Sequence, residues 1–194
     1  MKYFCLSFDI EEFDVPLEFN KSISEENMFG ISHKGTKRII SLLDNRRLKA
    51  TFFTTARFAM KYPSLIKRIS EKHEVALHGY KHDSNYKTMS DSEAYEELLK
   101  AKEEIEKIIS KKIYGFRAPR MMSPSLKVLK RLGLKYNASL HPTYVPGRYN
   151  HFFKPRKIFE KDDVTVIPTS VVPLVRMPMT WLWFRNLGLN YSKV

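Results

Sequence analysis

An α/β fold, with strands and helices alternating along one chain, is what three features of this sequence predict. Short apolar runs recur and stop at polar groups, as in Tyr3-Phe-Cys-Leu-Ser-Phe-Asp9 and Glu74-Val-Ala-Leu-His78; this is the pattern of buried strands whose tips carry polar chemistry. Between them lie stretches with helical apolar spacing, such as Leu98, Leu99, Ile105, Ile108 and Ile109. A helix start is also written out: Ser90-Asp-Ser-Glu93 is a capping box, in which the serine bonds the third amide and the glutamate reaches back. Strands alternating with helices of this length imply βαβ units and a parallel sheet or an α/β barrel, two forms that periodicity does not separate.

Taken in order, residues 2–9 read as the first strand, and about 34–47 as a helix with Ile39, Ile40, Leu42 and Leu43 on one side. Lys49–Thr54 is the next strand. Pro63, tolerated in a first helical turn, opens a helix to about residue 72, and Glu74–Leu77 follows as a strand. The capped helix runs from Ser90 to about Ser110. Ile113–Phe116 is a strand, Pro124–Leu132 a helix stopped by Gly133, and Lys135–Ala138 and Val164–Ile167 two more strands. Residues 141–151, rich in Pro, Tyr and basic groups, read as a loop. The tail from Pro173 to Val194 reads as a loop and then an amphipathic helix. Its Met177-Pro-Met-Thr-Trp-Leu-Trp-Phe184 run has a second reading, as a membrane-interface or glycan-stacking surface.

A length of 194 residues fits one domain with a substantial core. The net charge of +13 favours anionic partners. The basic residues are scattered, however, and no helix-turn-helix, RNA-recognition or zinc-finger signature is present, so a nucleic-acid partner is not expected. The single Cys5 excludes an intramolecular disulfide and reads as a small buried hydrophobe. Asp9 interrupts the N-terminal apolar stretch before it reaches the length of a signal sequence, and no window approaches the roughly 20 apolar residues of a membrane span. A soluble, cytoplasmic protein is the expectation, with peripheral membrane contact open and oligomeric state unspecified.

The chemistry gathers at strand ends. Asp9, Glu11 and Glu12 follow the first strand; His78 and His82 follow the third. If those strands lie side by side, two imidazoles and a carboxylate converge, and two His, one carboxylate and an open position make a hydrolytic metal site. Strand alternation puts residues 9 and 11 on one face and 12 on the other, with Glu12 left as an alternative to Glu11. Gly79 loosens the chain so that His82 can turn back toward His78.

In order and spacing these motifs resemble the polysaccharide deacetylase family, the NodB-homology domain or carbohydrate esterase family 4, over about residues 2–170. Ser7-Phe-Asp-Ile-Glu-Glu12 resembles its acidic motif, Ala50–Thr55 the strand that follows, His78-Gly-Tyr-Lys-His82 its metal motif, and Gly115-Phe-Arg-Ala-Pro-Arg120 its Arg-x-Pro signature. The resemblance implies a distorted, incomplete (β/α) barrel, usually seven-stranded, with its active residues at the carboxyl ends of the strands. It implies Asp9 as general base, Glu11, His78 and His82 as ligands of one divalent ion, zinc by default, and Arg117 as the partner that holds Asp9 ionised. Arg120 stands where the family often has an aromatic residue and reads as a group recruiting a substrate anion; Tyr80 and His141 complete the expected substrate contacts. Tyr136-Asn137 resembles a fourth motif, in which the usual Asp supports the Arg. The family's late Leu-x-His, which supplies the general acid, has no counterpart, since no His follows His151. Either His141 or His151 replaces it, or the chain is one catalytic domain lacking its last strand or strands. The activity implied is removal of N-linked acetyl groups from a sugar of a polysaccharide, or of its lipid- or nucleotide-linked precursor. A catalytically impaired carbohydrate-binding relic is the alternative.

Overall fold

The computed structural model describes residues 5–146 and 149–188. The early part of the predicted first strand and the end of the tail lie outside them. Among the described residues, seven strands form one open sheet in the order β1-β2-β3-β4-β5-β9-β8. They are β1 (Ser7–Ile10), β2 (Thr51–Thr54), β3 (Glu74–Leu77), β4 (Gly115–Phe116), β5 (Tyr136–Asn137), β9 (Val164–Val166) and β8 (Phe159–Lys161). Every pairing is parallel except β8 with β9. β1 and β8 are the edges, so the barrel is incomplete and not closed. The helices are α1 (Val15–Glu18), α2 (Glu25–Arg46), α3 (Ala56–Lys61), α4 (Pro63–Lys72), α5 (Asp91–Ile109), α6 (Leu126–Arg131) and α7 (Trp181–Leu187).

The alternation of side chains along each strand divides the core in two. Phe52, Val75, Leu77 and Phe116 join the large outer cluster, with Phe58, Ile66, Ile69, Leu98 and Ile105 from the covering helices. Phe53, Ala76 and Ala138 face the other way, into a smaller cluster with Tyr136 and Ile167. Ala56, Ala59, Ala94 and Ala101 are fully buried where α3, α4 and α5 pack together; a small side chain lets helix backbones approach closely. The capping box on α5 is formed as written in the sequence, with Ser90 and Glu93 exchanging bonds.

Four stretches differ from expectation. α2 begins at Glu25, not near Lys34, because Ser24 caps it by accepting a bond from the Asn27 amide; Gly30 and Gly35 obscure the helical pattern before Thr36. α3 is too short for its periodicity to register. β8 forms because Asp162 and Asp163 both take left-handed φ, 52° and 58°, and turn the chain back into β9. Within the stretch read as a loop, β6 (Tyr144–Val145) and β7 (Tyr149–Asn150) pair antiparallel. Cys5 is exposed, not buried, because it precedes β1 and is not part of a covered strand. No helix among the described residues is long and apolar enough to cross a membrane.

Gly79, directly after β3, is needed for more than looseness. Its φ is +84°, and a Cβ there would meet the Tyr86 hydroxyl at 2.6 Å. Tyr86 is itself fixed, accepting from the Tyr80 amide at 2.9 Å and donating to Glu97 at 2.8 Å. Gly79→Ala is therefore expected to cost about 2–4 kcal/mol, from backbone strain plus overpacking. Urea unfolding checks this; a loss below about 1 kcal/mol would show that Tyr86 yields.

Candidate metal centre

Register brings the polar groups to one level. Asp9 lies opposite Phe53, and Phe53 opposite Ala76, so β1, β2 and β3 end together and Glu11 and His78 emerge just beyond. The Arg117 amide bonds the Leu77 carbonyl and places Arg117 at the same end of β4. These are the carboxyl ends of parallel strands, where α/β folds carry their active groups.

Ligand-type atoms of Glu11, His78 and His82 lie within 4.8 Å of one another. His78 Nε2 is 2.7 Å and His82 Nε2 3.3 Å from the same Glu11 oxygen, Oε2. The opposite ring nitrogens are both occupied: His78 Nδ1 donates to the Arg117 carbonyl at 2.8 Å, and His82 Nδ1 donates to Asp14 Oδ1 at 2.6 Å. Both rings are thereby set with Nε2 toward Glu11, the orientation that second partners impose on metal-binding histidines. Ligand atoms about 2.0–2.1 Å from a tetrahedral zinc sit about 3.3 Å apart, so the His82–Glu11 spacing suits a divalent ion and the His78–Glu11 hydrogen bond needs only slight opening. The donor set fits.

Burial pushes His78 down, but Asp9, the Glu11 hydrogen bond and the Glu11 charge more than offset it, so His78 holds its proton above the ordinary imidazole range. Glu12 is excluded from the trio. It is buried on the other side, accepting from Thr55 Oγ1 at 3.0 Å with Arg57 3.6 Å away, and burial raises its carboxyl above the usual range.

Beside the trio, Asp9 Oδ1 accepts from Arg117 Nη1 at 2.8 Å. Burial raises the Asp9 carboxyl, but the charge of Arg117, with His78 and His82 behind it, carries it below the ordinary value. Arg117 also donates to Ser7 Oγ at 2.8 Å and the Ala138 carbonyl at 3.3 Å, and lies over the Phe53 ring. The Asn137 side chain hydrogen-bonds Ser123 and Ser139, not the Arg117 side chain expected from the fourth motif. Its Oδ1 accepts from the Ser139 amide and hydroxyl, and Ser139 Oγ accepts from the Ala118 amide, so it braces the Arg117 loop through its backbone.

The expected substrate contacts are placed as follows. Arg120 is engaged by two carboxylates, Asp14 Oδ2 and Glu18 Oε1, each at 2.9 Å. Tyr80 packs against the outer core with Lys100 over its ring. His141 bonds the Tyr149 hydroxyl at 2.7 Å, and its Nε2 is buried with no hydrogen-bond partner among the described residues. Burial, with His151 and Arg117 nearby, pushes the His141 imidazole down to about 4. Because the folded value lies below the unfolded value of about 6.5, the stability is whole above pH 6.5 and is lost as pH falls toward 4. The loss is up to about 3 kcal/mol. His141→Gln is expected to flatten that part of the urea-midpoint profile; an unchanged slope would contradict it.

Asp14 is the participant that sequence reading missed. It is buried, joins His82 to Arg120, and lies below the ordinary carboxyl range because His82 and Arg120 outweigh the effect of burial. The only sequence signal was its spacing, three residues after Glu11 and beyond the end of β1.

The polysaccharide deacetylase model matches residues 14–137. The chain belongs to that family, the NodB-homology domain of carbohydrate esterase family 4. Over 109 residues it is 33% identical to the peptidoglycan-N-acetylmuramic acid deacetylase PdaA of Bacillus subtilis, an alignment covering 54% of this chain and 41% of that protein. The fold is similar to that of a Mycobacterium smegmatis protein assigned to the polysaccharide deacetylases, with a TM-score of 0.62 and 23% identity over 87% of this chain and 58% of that one. It is also similar to a family 4 carbohydrate esterase of Streptomyces lividans solved with acetate, with a TM-score of 0.52 and 20% identity over 70% and 61%.

Proposed function

We propose that this chain is a metal-dependent hydrolase that removes N-linked acetyl groups from a sugar of a polysaccharide or its lipid- or nucleotide-linked precursor, acting in the cytoplasm and not on nucleic acid. The observation that carries this is the convergence of Glu11, His78 and His82 on one point, with the Asp9–Arg117 pair beside it. Glu11, His78 and His82 hold one divalent ion, zinc by default for two imidazoles and a carboxylate. When bound, the ion polarises the amide carbonyl and makes water available as hydroxide near neutral pH. Asp9, kept ionised by Arg117, takes the proton of the attacking water. Arg117 holds that carboxylate in place and does not itself exchange a proton, since its guanidinium stays charged.

The second reading, a carbohydrate-binding relic with impaired turnover, is favoured by one feature. His141 is neutral near pH 7, so it offers no ready proton to the departing amine.

Calorimetric titration of zinc into metal-stripped protein, beside His78→Ala, tests the site. One-to-one binding that weakens at least about 100-fold in the variant is expected, followed by acetate release from N-acetylated glycan fragments. No binding by folded wild-type protein would overturn the hydrolase reading; binding without acetate release would favour the relic.

A further inference from the structure

Arg120 sits in an unusual backbone. Its φ is 51° and that of Met121 is 61°, two consecutive non-glycine residues in the left-handed region. Such positions are strained and persist where the surroundings over-determine them. The strained turn brings the guanidinium to Asp14 Oδ2 and Glu18 Oε1, both at 2.9 Å. Asp14 offers its other oxygen to His82 Nδ1 at 2.6 Å, and His82 presents Nε2 to Glu11 at 3.3 Å. Glu18, Arg120, Asp14, His82 and Glu11 thus form one continuous polar chain, from the end of α1 to the metal centre.

We propose that Arg120 and Asp14 are positioning residues that select the ring tautomer of His82, so that the nitrogen facing Glu11 carries a lone pair and not a proton. The inference rests on the reading of Glu11, His78 and His82 as a ligand set, and it gives Arg120 a task other than recruiting a substrate anion. A guanidinium has only donors and an ionised carboxylate only acceptors. Arg120 therefore claims one oxygen of Asp14, and the other must accept from His82, which puts the ring proton on Nδ1.

The same logic makes an unusual prediction. In Asp14→Asn the amide oxygen must face Arg120, because Arg120 cannot accept a bond. The NH₂ group then faces His82 and turns Nδ1 into the acceptor, moving the proton to Nε2. An asparagine in place of a carboxylate that orients a histidine does comparable harm elsewhere through the wrong tautomer. Asp14→Ala leaves the ring free to choose, so it is the milder change. In the double variant Asp14→Asn/Arg120→Met the amide is released to rotate, and its oxygen can serve His82 again.

Zinc affinity by calorimetry and His82 ring tautomer by ¹⁵N NMR of the metal-free protein at alkaline pH test this. Affinity is expected to fall about 10-fold in Asp14→Ala and about 100-fold in Asp14→Asn, within the range of changes to groups that orient metal ligands. The double variant is expected to recover to within about 10-fold of wild type, a non-additive result that independent structural damage would not produce. NMR is expected to show the proton on Nδ1 in wild type and on Nε2 in Asp14→Asn. An Asp14→Asn variant with wild-type tautomer, or with no recovery in the double variant, overturns the proposal. Wild-type protein that binds no zinc overturns the ligand reading instead, and the tautomer measurement still decides the relay.

Discussion

Asp9→Asn is expected to lower acetate release by about 10²–10⁴-fold, the usual contribution of a positioned general base. Asn keeps the size of the side chain but cannot take a proton. Asp9 is not among the Glu11, His78 and His82 donor atoms, so zinc affinity is expected to change by less than about tenfold, or about 1.4 kcal/mol. That split between turnover and metal binding separates a base from a ligand. If zinc affinity instead collapses with the activity, Asp9 is a ligand and the assignment of Glu11 falls. Because the folded Asp9 carboxyl lies below its unfolded value near 3.8, it is ionised throughout the neutral range. The stability it contributes is present above pH 4 and is lost only as pH falls below that, through the folded value. Asp9, as the proposed base, is therefore not expected to set an acid limb of activity near pH 6.

Arg117→Met is expected to be the most damaging single change to stability at the site. The arginine ties together three strands: β1 through Asp9 and Ser7, β4 through its own backbone, and β5 through the Ala138 carbonyl that follows it. Its side chain is 13% exposed and that of Asp9 30%, so the pair is mostly, not wholly, withdrawn from water. Breaking a fully buried pair costs about 3–5 kcal/mol; with this exposure about 2–4 kcal/mol is expected in urea unfolding. The remaining Asp9 carboxyl, deprived of its cation, is expected to titrate higher. Asp9→Asn/Arg117→Met is expected to be less destabilised than the sum of its parts, because no charge is then stranded. Strict additivity would show that Arg117 acts through packing on Phe53 and its carbonyl bond, not through the ion pair.

How much of this was legible in the sequence depended on how much each residue carries by itself. The strands β2 and β3 and helices α4 and α5 were readable because apolar spacing, Pro63 and the Ser90–Glu93 box are local signals. The convergence of Glu11, His78 and His82 was readable because the polar residues stand right after such strands. Asp14 was not, since an aspartate becomes an orienting group only when the fold delivers His82 and Arg120 to its two oxygens. What holds Arg120 was hidden for the same reason: its pairing with the chain's own Asp14 and Glu18 exists only in the fold. The support at Asn137 shifted from the Arg117 side chain to the Ala118 amide next to it because Ser139 stands between them. β8 was hidden because its signal is a pair of aspartates in left-handed φ, a turn that glycine would have announced.

β1 is an edge strand of four residues, and among the described residues it pairs with β2 alone. Its last exit carries Glu11, whose carboxylate is 67 positions from His78 in the chain. A cation held by both would act as a clasp across that long loop, tying an edge strand of the sheet to its third. Any ligand that binds only the folded form stabilises it by an amount set by its free concentration, about 2.7 kcal/mol at 100 times the dissociation constant. Site occupancy and the integrity of the N-terminal edge are then a single equilibrium. Depletion of the cation would loosen the edge that carries Asp9 and Glu11, so the proposed base and ligand would be lost together with the sheet margin.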